Sequence, residues 1–117
     1  MSSASSFFHS LPYTFNSRFE GGKGTTPEEL IAAAHAGCYS MQLSADLEKS
    51  GFVPENIETT STVTIENGTI ISSHLVVKAK VPGISKDVFV KVASGTKLIC
   101  PVSKALKLEI TLEATLI

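Results

Sequence analysis

Neither sign of charge predominates in this chain. Ten Lys and Arg against eleven Asp and Glu leave a formal net charge of −1, which gives no electrostatic footprint for nucleic acid or for an anionic membrane. No apolar run approaches the length needed to cross a bilayer. The opening residues, MSSASSFFHSLPYTF, carry no cationic stretch and only a Phe7-Phe8 pair where a secretory leader needs an apolar segment. These absences predict a soluble, cytoplasmic protein with no nucleic-acid or membrane partner. CxxC and HxxxH pairs, a glycine-rich phosphate loop, a serine nucleophile elbow and a dinucleotide fingerprint are all missing, so no metal and no cofactor are expected. Cysteine is reduced to Cys38 and Cys100, and arginine to Arg18. In a compartment that keeps thiols reduced, two cysteines are redox-active, metal-bound or inert.

What is present suits one globular domain over residues 1–117, with 43% apolar and 18% charged residues. The chain is organised around Thr25 to Gly51, TTPEELIAAAHAGCYSMQLSADLEKSG. Thr26 is a natural N-cap, Pro27 fits the first helical position, and Glu28 and Glu29 complement the positive helix end. Glu29 completes a Thr-x-x-Glu capping box, while Lys49 and Gly51 write the C-terminus. Leu30 to Cys38 is apolar on nearly every side apart from His35, which predicts a buried segment.

Before that helix, Leu11 to Phe15 alternates like a short edge strand, and Asn16 to Gly24 forms a glycine-rich loop carrying Arg18. After it, Asn67-Gly68 accepts the positive φ values of a type I′ turn, and β-branched residues flank it. A long antiparallel hairpin over Thr59–Glu66 and Thr69–Val81 follows. Ser85 caps a second helix with Val88, Phe89, Val92 and Leu98 on its core face, and Gly95-Thr96 is expected to kink or break it. Pro101 opens a fresh helical turn with Cys100 as its N-cap, and Leu108–Ile117 alternates as the last strand.

On local grounds Cys100 is the better thiolate, because an N-cap sees free N–H donors and the positive end of a dipole. Cys38, alone among small residues in mid-helix, is a packing residue unless something activates it. Making it mostly thiolate at neutral pH means lowering its pKa by about 2 to 3, or roughly 3 to 4 kcal/mol. A guanidinium at about 4 Å and an effective dielectric near 20 supplies on the order of 4 kcal/mol, and Arg18 is the one arginine. Glu28 can hold that guanidinium, but it lies about 15 Å of helical rise from Cys38. Two copies of the helix packed antiparallel about a two-fold axis through Ala33, Ala34 and Gly37 would bring one chain's Glu28 beside the other's Cys38. His35, Cys38 and Cys100 as three metal ligands is a remoter alternative; a core or interface histidine with one satisfied hydrogen bond is the commoner reading of His35.

LPYTFNSRFEGGKGTTPEELIAAAHAGCYSM and ICPVSKALKLEITLEATL, in this order, closely resemble the OsmC branch of the OsmC/Ohr family of thiol peroxidases. The resemblance implies an α+β subunit in an intertwined homodimer, with antiparallel sheets wrapped around two central helices and two active sites at the interface. It makes Cys38 the peroxidatic cysteine and Cys100 the resolving one, with Arg18 and Glu28 as the polar partners, which reverses the local ranking of the thiols. It further implies reduction of organic hydroperoxides to alcohols through a Cys38 sulfenic acid and a Cys38–Cys100 disulfide, an external dithiol reductant of lipoyl type, and a role in oxidative or osmotic stress defence. Relatives begin with an additional strand and turn ahead of Leu11, so the N-terminal strand region is expected to be shortened and a sheet edge exposed. The alternative is a non-enzymatic redox-sensing or stress-binding module with the same fold.

Overall fold

The computed structural model describes residues 4, 5, 10 and 24–117. The expected edge strand at 11–15, the loop at 16–23 and Arg18 within it lie outside the described residues. Helix α1 spans Pro27–Lys49, strand β1 Asn56–Glu66, strand β2 Thr69–Lys80, helix α2 Lys86–Ile99, helix α3 Pro101–Ala105 and strand β3 Glu109–Leu116. By its contacts the chain divides into two units, Met1–Ile31 and Ala32–Ile117, so the first turn of α1 belongs to one and the rest of α1 to the other.

The ends of α1 follow from local chemistry. The Thr26 hydroxyl accepts the backbone N–H of Glu29 at 3.1 Å, while the Glu29 carboxylate takes the Thr25 hydroxyl at 2.7 Å, so the acid caps one residue further out than the simple box predicts. At the other end Phe52 N–H reaches the Leu47 carbonyl at 2.9 Å and Gly51 N–H the Glu48 carbonyl at 3.0 Å. This is a Schellman closure, which needs the left-handed φ of +91° at Gly51. The Asn67-Gly68 turn likewise has φ of 53° and 76° and joins β1 to β2 in the expected antiparallel hairpin, with one register shift at Thr64/Ile65.

β3 pairs with β2 in parallel, Ser72 opposite Glu109 through Ala79 opposite Leu116. The three-stranded sheet, ordered β1-β2-β3, is therefore mixed where antiparallel pairing alone was expected. Alternation along a strand says nothing about its direction. A parallel partner requires a crossover, and α2 with α3 supply it.

Burial picks out one stripe per helix. In α1 it is His35, Tyr39, Leu43 and Leu47; in α2 it is Phe89, Ala93 and Thr96, continuing to Cys100. With the inward residues Leu75, Val77 and Ala79 of β2 they form the core. The all-round burial expected of Leu30 to Cys38 is not found in the single chain: Ala33, Ala34 and Gly37 are exposed, and Met41 is 78% exposed. Val88 and Leu98 are also exposed, against the expected core face of α2. Helix α2 runs unbroken through Gly95-Thr96, because the Thr96 hydroxyl, shared between the Val92 carbonyl at 2.9 Å and Asp46 at 2.7 Å, ties that turn both to its own helix and to α1.

Polar groups inside are paired. Tyr39 donates to the Ala93 carbonyl at 2.9 Å, and burial pushes its phenol well above the ordinary tyrosine range. His35, fully buried, has Ser73 at 2.6 Å on Nδ1 and Ser103 at 2.7 Å on Nε2, and Ser73 is bonded onward to Ser61 at 2.7 Å.

Phe89→Ala is expected to cost about 3–5 kcal/mol of stability and Tyr39→Phe about 1 kcal/mol, measured as urea midpoints at matched slope. Burial holds His35 below its ordinary pKa, so the unfolded chain takes up the proton first as pH falls. The His35 contribution to stability is present in full above about pH 6.5 and is lost as pH drops from there toward the folded value. Unfolding midpoints between about pH 7.5 and pH 5.5 should fall, and the part of that fall due to His35 should vanish in His35→Gln.

Candidate active site

Cys38 and Cys100, 62 residues apart, come together where α1 passes the junction of α2 and α3, with their sulfurs 3.0 Å apart and both thiols free. The junction is built locally. Cys100 ends α2, its N–H bonding to the Thr96 carbonyl at 2.9 Å, and as N-cap of α3 its carbonyl accepts from Lys104 N–H at 3.0 Å. Its extended backbone, φ −54° and ψ 125°, turns the chain, and Pro101 restarts the helix at the position that needs no donor.

The two sulfurs differ in access. Cys100 is fully buried and Cys38 half-buried. Burial raises the Cys38 pKa, the neighbouring Cys100 thiol raises it further, and the Val102 backbone opposes them by favouring the thiolate. Val102 lies in the first turn of α3, where N–H groups have no intrahelical acceptor. Cys100 itself makes no side-chain cap bond. On balance these contacts favour the thiol over the thiolate at Cys38.

Of the sequence-predicted site residues, Cys38 and Cys100 are brought into contact. Glu28 stands half-buried in the first turn of α1, in the other unit from the thiols, and Arg18 lies outside the described residues. Both nitrogens of His35 are taken up by serine hydroxyls, and among the described residues no group of three or more His, Cys, Asp or Glu is placed to hold an ion.

Sequence reasoning missed the hydroxyl chain Ser61–Ser73–His35–Ser103 beside the thiols. A signal was there. Ser73 shares its period-two face with Leu75, Val77 and Ala79, so it is a polar residue at a core position and must have a buried partner. Ser103, one turn beyond Cys100, falls on the same side of α3 as His35 falls on α1, one turn before Cys38.

The model for the OsmC-like protein family matches residues 20–115. Peroxiredoxin OsmC of Escherichia coli strain K12 is 45% identical over 97% of this chain and 82% of its own length. Among solved structures, an OsmC-like protein from Mycoplasma pneumoniae superposes with a TM-score of 0.74 at 15% identity, over 85% of this chain and 77% of that one. An organic hydroperoxide resistance protein OsmC from Legionella pneumophila gives the same TM-score at 17% identity, over 98% and 85%. At such identities the structures speak for the fold alone, and the sequence match for kinship. No helix among the described residues is long and apolar enough to cross a membrane. Kinship and fold agree, and the chain belongs to the OsmC-like family.

Proposed function

We propose that this protein is a thiol peroxidase that reduces organic hydroperoxides in stress defence, with Cys38 as nucleophile and Cys100 as resolving thiol. The observation that carries the reading is the sulfur pair: a half-buried thiol in contact with a buried one, in a chain 45% identical to a protein named a peroxiredoxin. The Cys38 thiolate attacks the distal peroxide oxygen. An S–O bond forms, the O–O bond breaks, and the alkoxide leaves to take up a proton as the alcohol. Cys100 then attacks the sulfenic sulfur, a disulfide forms, and water leaves with the Cys100 proton. An external dithiol, of lipoyl type by family resemblance, reduces the disulfide and is itself oxidised to a disulfide.

Two features support this division of labour. Access favours Cys38 for the bulky peroxide, and a resolving thiol needs to reach only the sulfenic acid beside it. The thiolate that starts the cycle is unfavourable without a cation, because burial and Cys100 both raise the Cys38 pKa; Arg18, held by Glu28, fills that role in the proposal. The exposed small-residue face of α1, where a Cβ on Gly37 would meet nothing within 4 Å, suits close packing of two such helices in a homodimer. Each subunit is a single domain in this proposal, and the setting is the cytoplasm, where thiols are kept reduced.

With a dithiol supplied, Cys38→Ser should reduce hydroperoxide consumption to the uncatalysed rate; a rate equal to that of the unmodified protein removes Cys38 as nucleophile. Cys100→Ser should still consume the first equivalent but accumulate oxidised Cys38 without losing the two hydrogens that mark the disulfide by intact mass. Light scattering at micromolar concentration should give twice the chain mass, and Gly37→Glu should shift it toward one; a fully active monomer excludes the two-fold packing.

A further inference from the structure

Two side-chain links tie the start of α3 to α1 among the described residues: the Cys100 sulfur meets the Cys38 sulfur at 3.0 Å, and His35 Nε2 is hydrogen-bonded to the Ser103 hydroxyl at 2.7 Å. The spacing makes two rungs of a short ladder: His35 and Cys38 are one turn apart on α1, Ser103 and Cys100 one turn apart on α3, and the pairs match in antiparallel order. One rung takes part in the chemistry and the other does not.

We infer that His35 is a positioning residue for the resolving step, holding α3 against α1 through Ser103 so that Cys100 stays in reach while the Cys38 sulfur changes its bonding. The inference rests on the peroxidase reading for its place in the cycle. When Cys38 becomes a sulfenic acid, the added oxygen changes what the sulfur can touch, so the link to Cys100 is broken or reshaped. The sulfurs must then close from 3.0 Å to about 2.05 Å. Between those two states the surviving polar tie is His35–Ser103. It is anchored from behind, since Nδ1 is bonded to Ser73 at 2.6 Å and Ser73 to Ser61, fixing the ring to the β1–β2 hairpin. A neutral imidazole has one donor and one acceptor nitrogen, and the two serines use both. His35 and Ser73 are fully buried and Ser103 is 7% exposed, so water does not readily replace either partner.

Losing the tie should lower the effective concentration of Cys100 at Cys38. The sulfenic acid then meets a second hydroperoxide more often, which adds another oxygen to give the sulfinic acid and a second alcohol. Ser103→Ala removes one oxygen and the rung, while Ser73→Ala removes the rear anchor and keeps the rung. His35→Gln places an amide near the Nε2 position and retains reach toward Ser103; His35→Asn places it near Nδ1 and does not.

Each variant is treated with excess cumene hydroperoxide and the ratio of disulfide to sulfinic acid read by intact mass, a ratio independent of how fast the peroxide is consumed. Separately, the reduced and oxidised forms are equilibrated in a dithiothreitol redox buffer. Ser103→Ala and His35→Asn should lower the disulfide-to-sulfinic ratio about tenfold and, for the same tenfold loss, raise the disulfide potential by about 30 mV. His35→Gln and Ser73→Ala should stay within about threefold of the unmodified protein. Lowered melting temperatures with unchanged ratios and potentials in Ser103→Ala and His35→Asn would overturn the inference and leave the hydroxyl chain a packing feature. Should His35→Asn not fold, Ser103→Ala decides alone. The potentials need no hydroperoxide, so an unmodified protein that consumes none would sink the peroxidase reading while the comparison of potentials still decides this one.

Discussion

A parallel neighbour for β2 cannot be reached by a turn, and that constraint organises everything near the thiols. The chain leaves the sheet after Lys80 and must return beside β2 at Glu109 running the same way. Whatever it builds in between has to cross the sheet, and here it crosses along α1. Four side-chain contacts mark the track: Asp46 to Thr96, Tyr39 to Ala93, Cys38 to Cys100 and His35 to Ser103. From Asp46 with Thr96 to Cys38 with Cys100 and His35 with Ser103, moving toward the N-terminal end of α1 is moving toward β3, with Tyr39 reaching back to Ala93. Cys100 meets Cys38 because it occupies the corner of that path, where α2 stops and α3 restarts.

The character of the contacts changes along the same track. Deep in the core it is Leu43, Leu47 and Phe89, and stability there is area removed from water. Toward the corner the seam becomes polar, with Ser40 bonded to Thr59 at 2.7 Å and Ser61, Ser73, His35 and Ser103 in sequence. Among the described residues no buried side-chain nitrogen or oxygen is left without a partner. A satisfied hydroxyl chain specifies one arrangement in a way that interchangeable methyl groups do not. On the proposed reading the two sulfurs have to meet at bonding distance, and they gain more from that directional fit than from a few more buried methylenes.

What the sequence made legible was local. The caps of α1, the Asn67-Gly68 hairpin, the Ser85 cap and the Pro101 restart each depend on residues within a turn of one another, and each is where those residues put it. The direction of β3 was not legible, because an alternating LEITLEATLI suits either sense. Nor was the exposed face of Ala33, Ala34 and Gly37, since small apolar residues carry no mark that separates a core from a surface awaiting a second helix. At the site, the cysteines stood out by their scarcity, but their contact depends on a crossover no window of the sequence contains. Ser73 and Ser103 were hidden for a different reason: serine is so often a surface residue that only the inward register of β2 gives it meaning.

The ranking of the two thiols turns on which sulfur a donor at the helix start serves. An N-cap cysteine is next to the unpaired donors of its helix, and that remains true of Cys100. A donor is nevertheless useful only to the atom it faces. The Cys100 side chain is buried in the core and makes no cap bond, while the Val102 backbone at the start of α3 favours the Cys38 thiolate. One backbone donor does not offset the burial and the neighbouring sulfur that raise the Cys38 pKa. On the reading proposed here, the remaining free energy has to come from a full charge, and a chain with one arginine has one guanidinium to supply it.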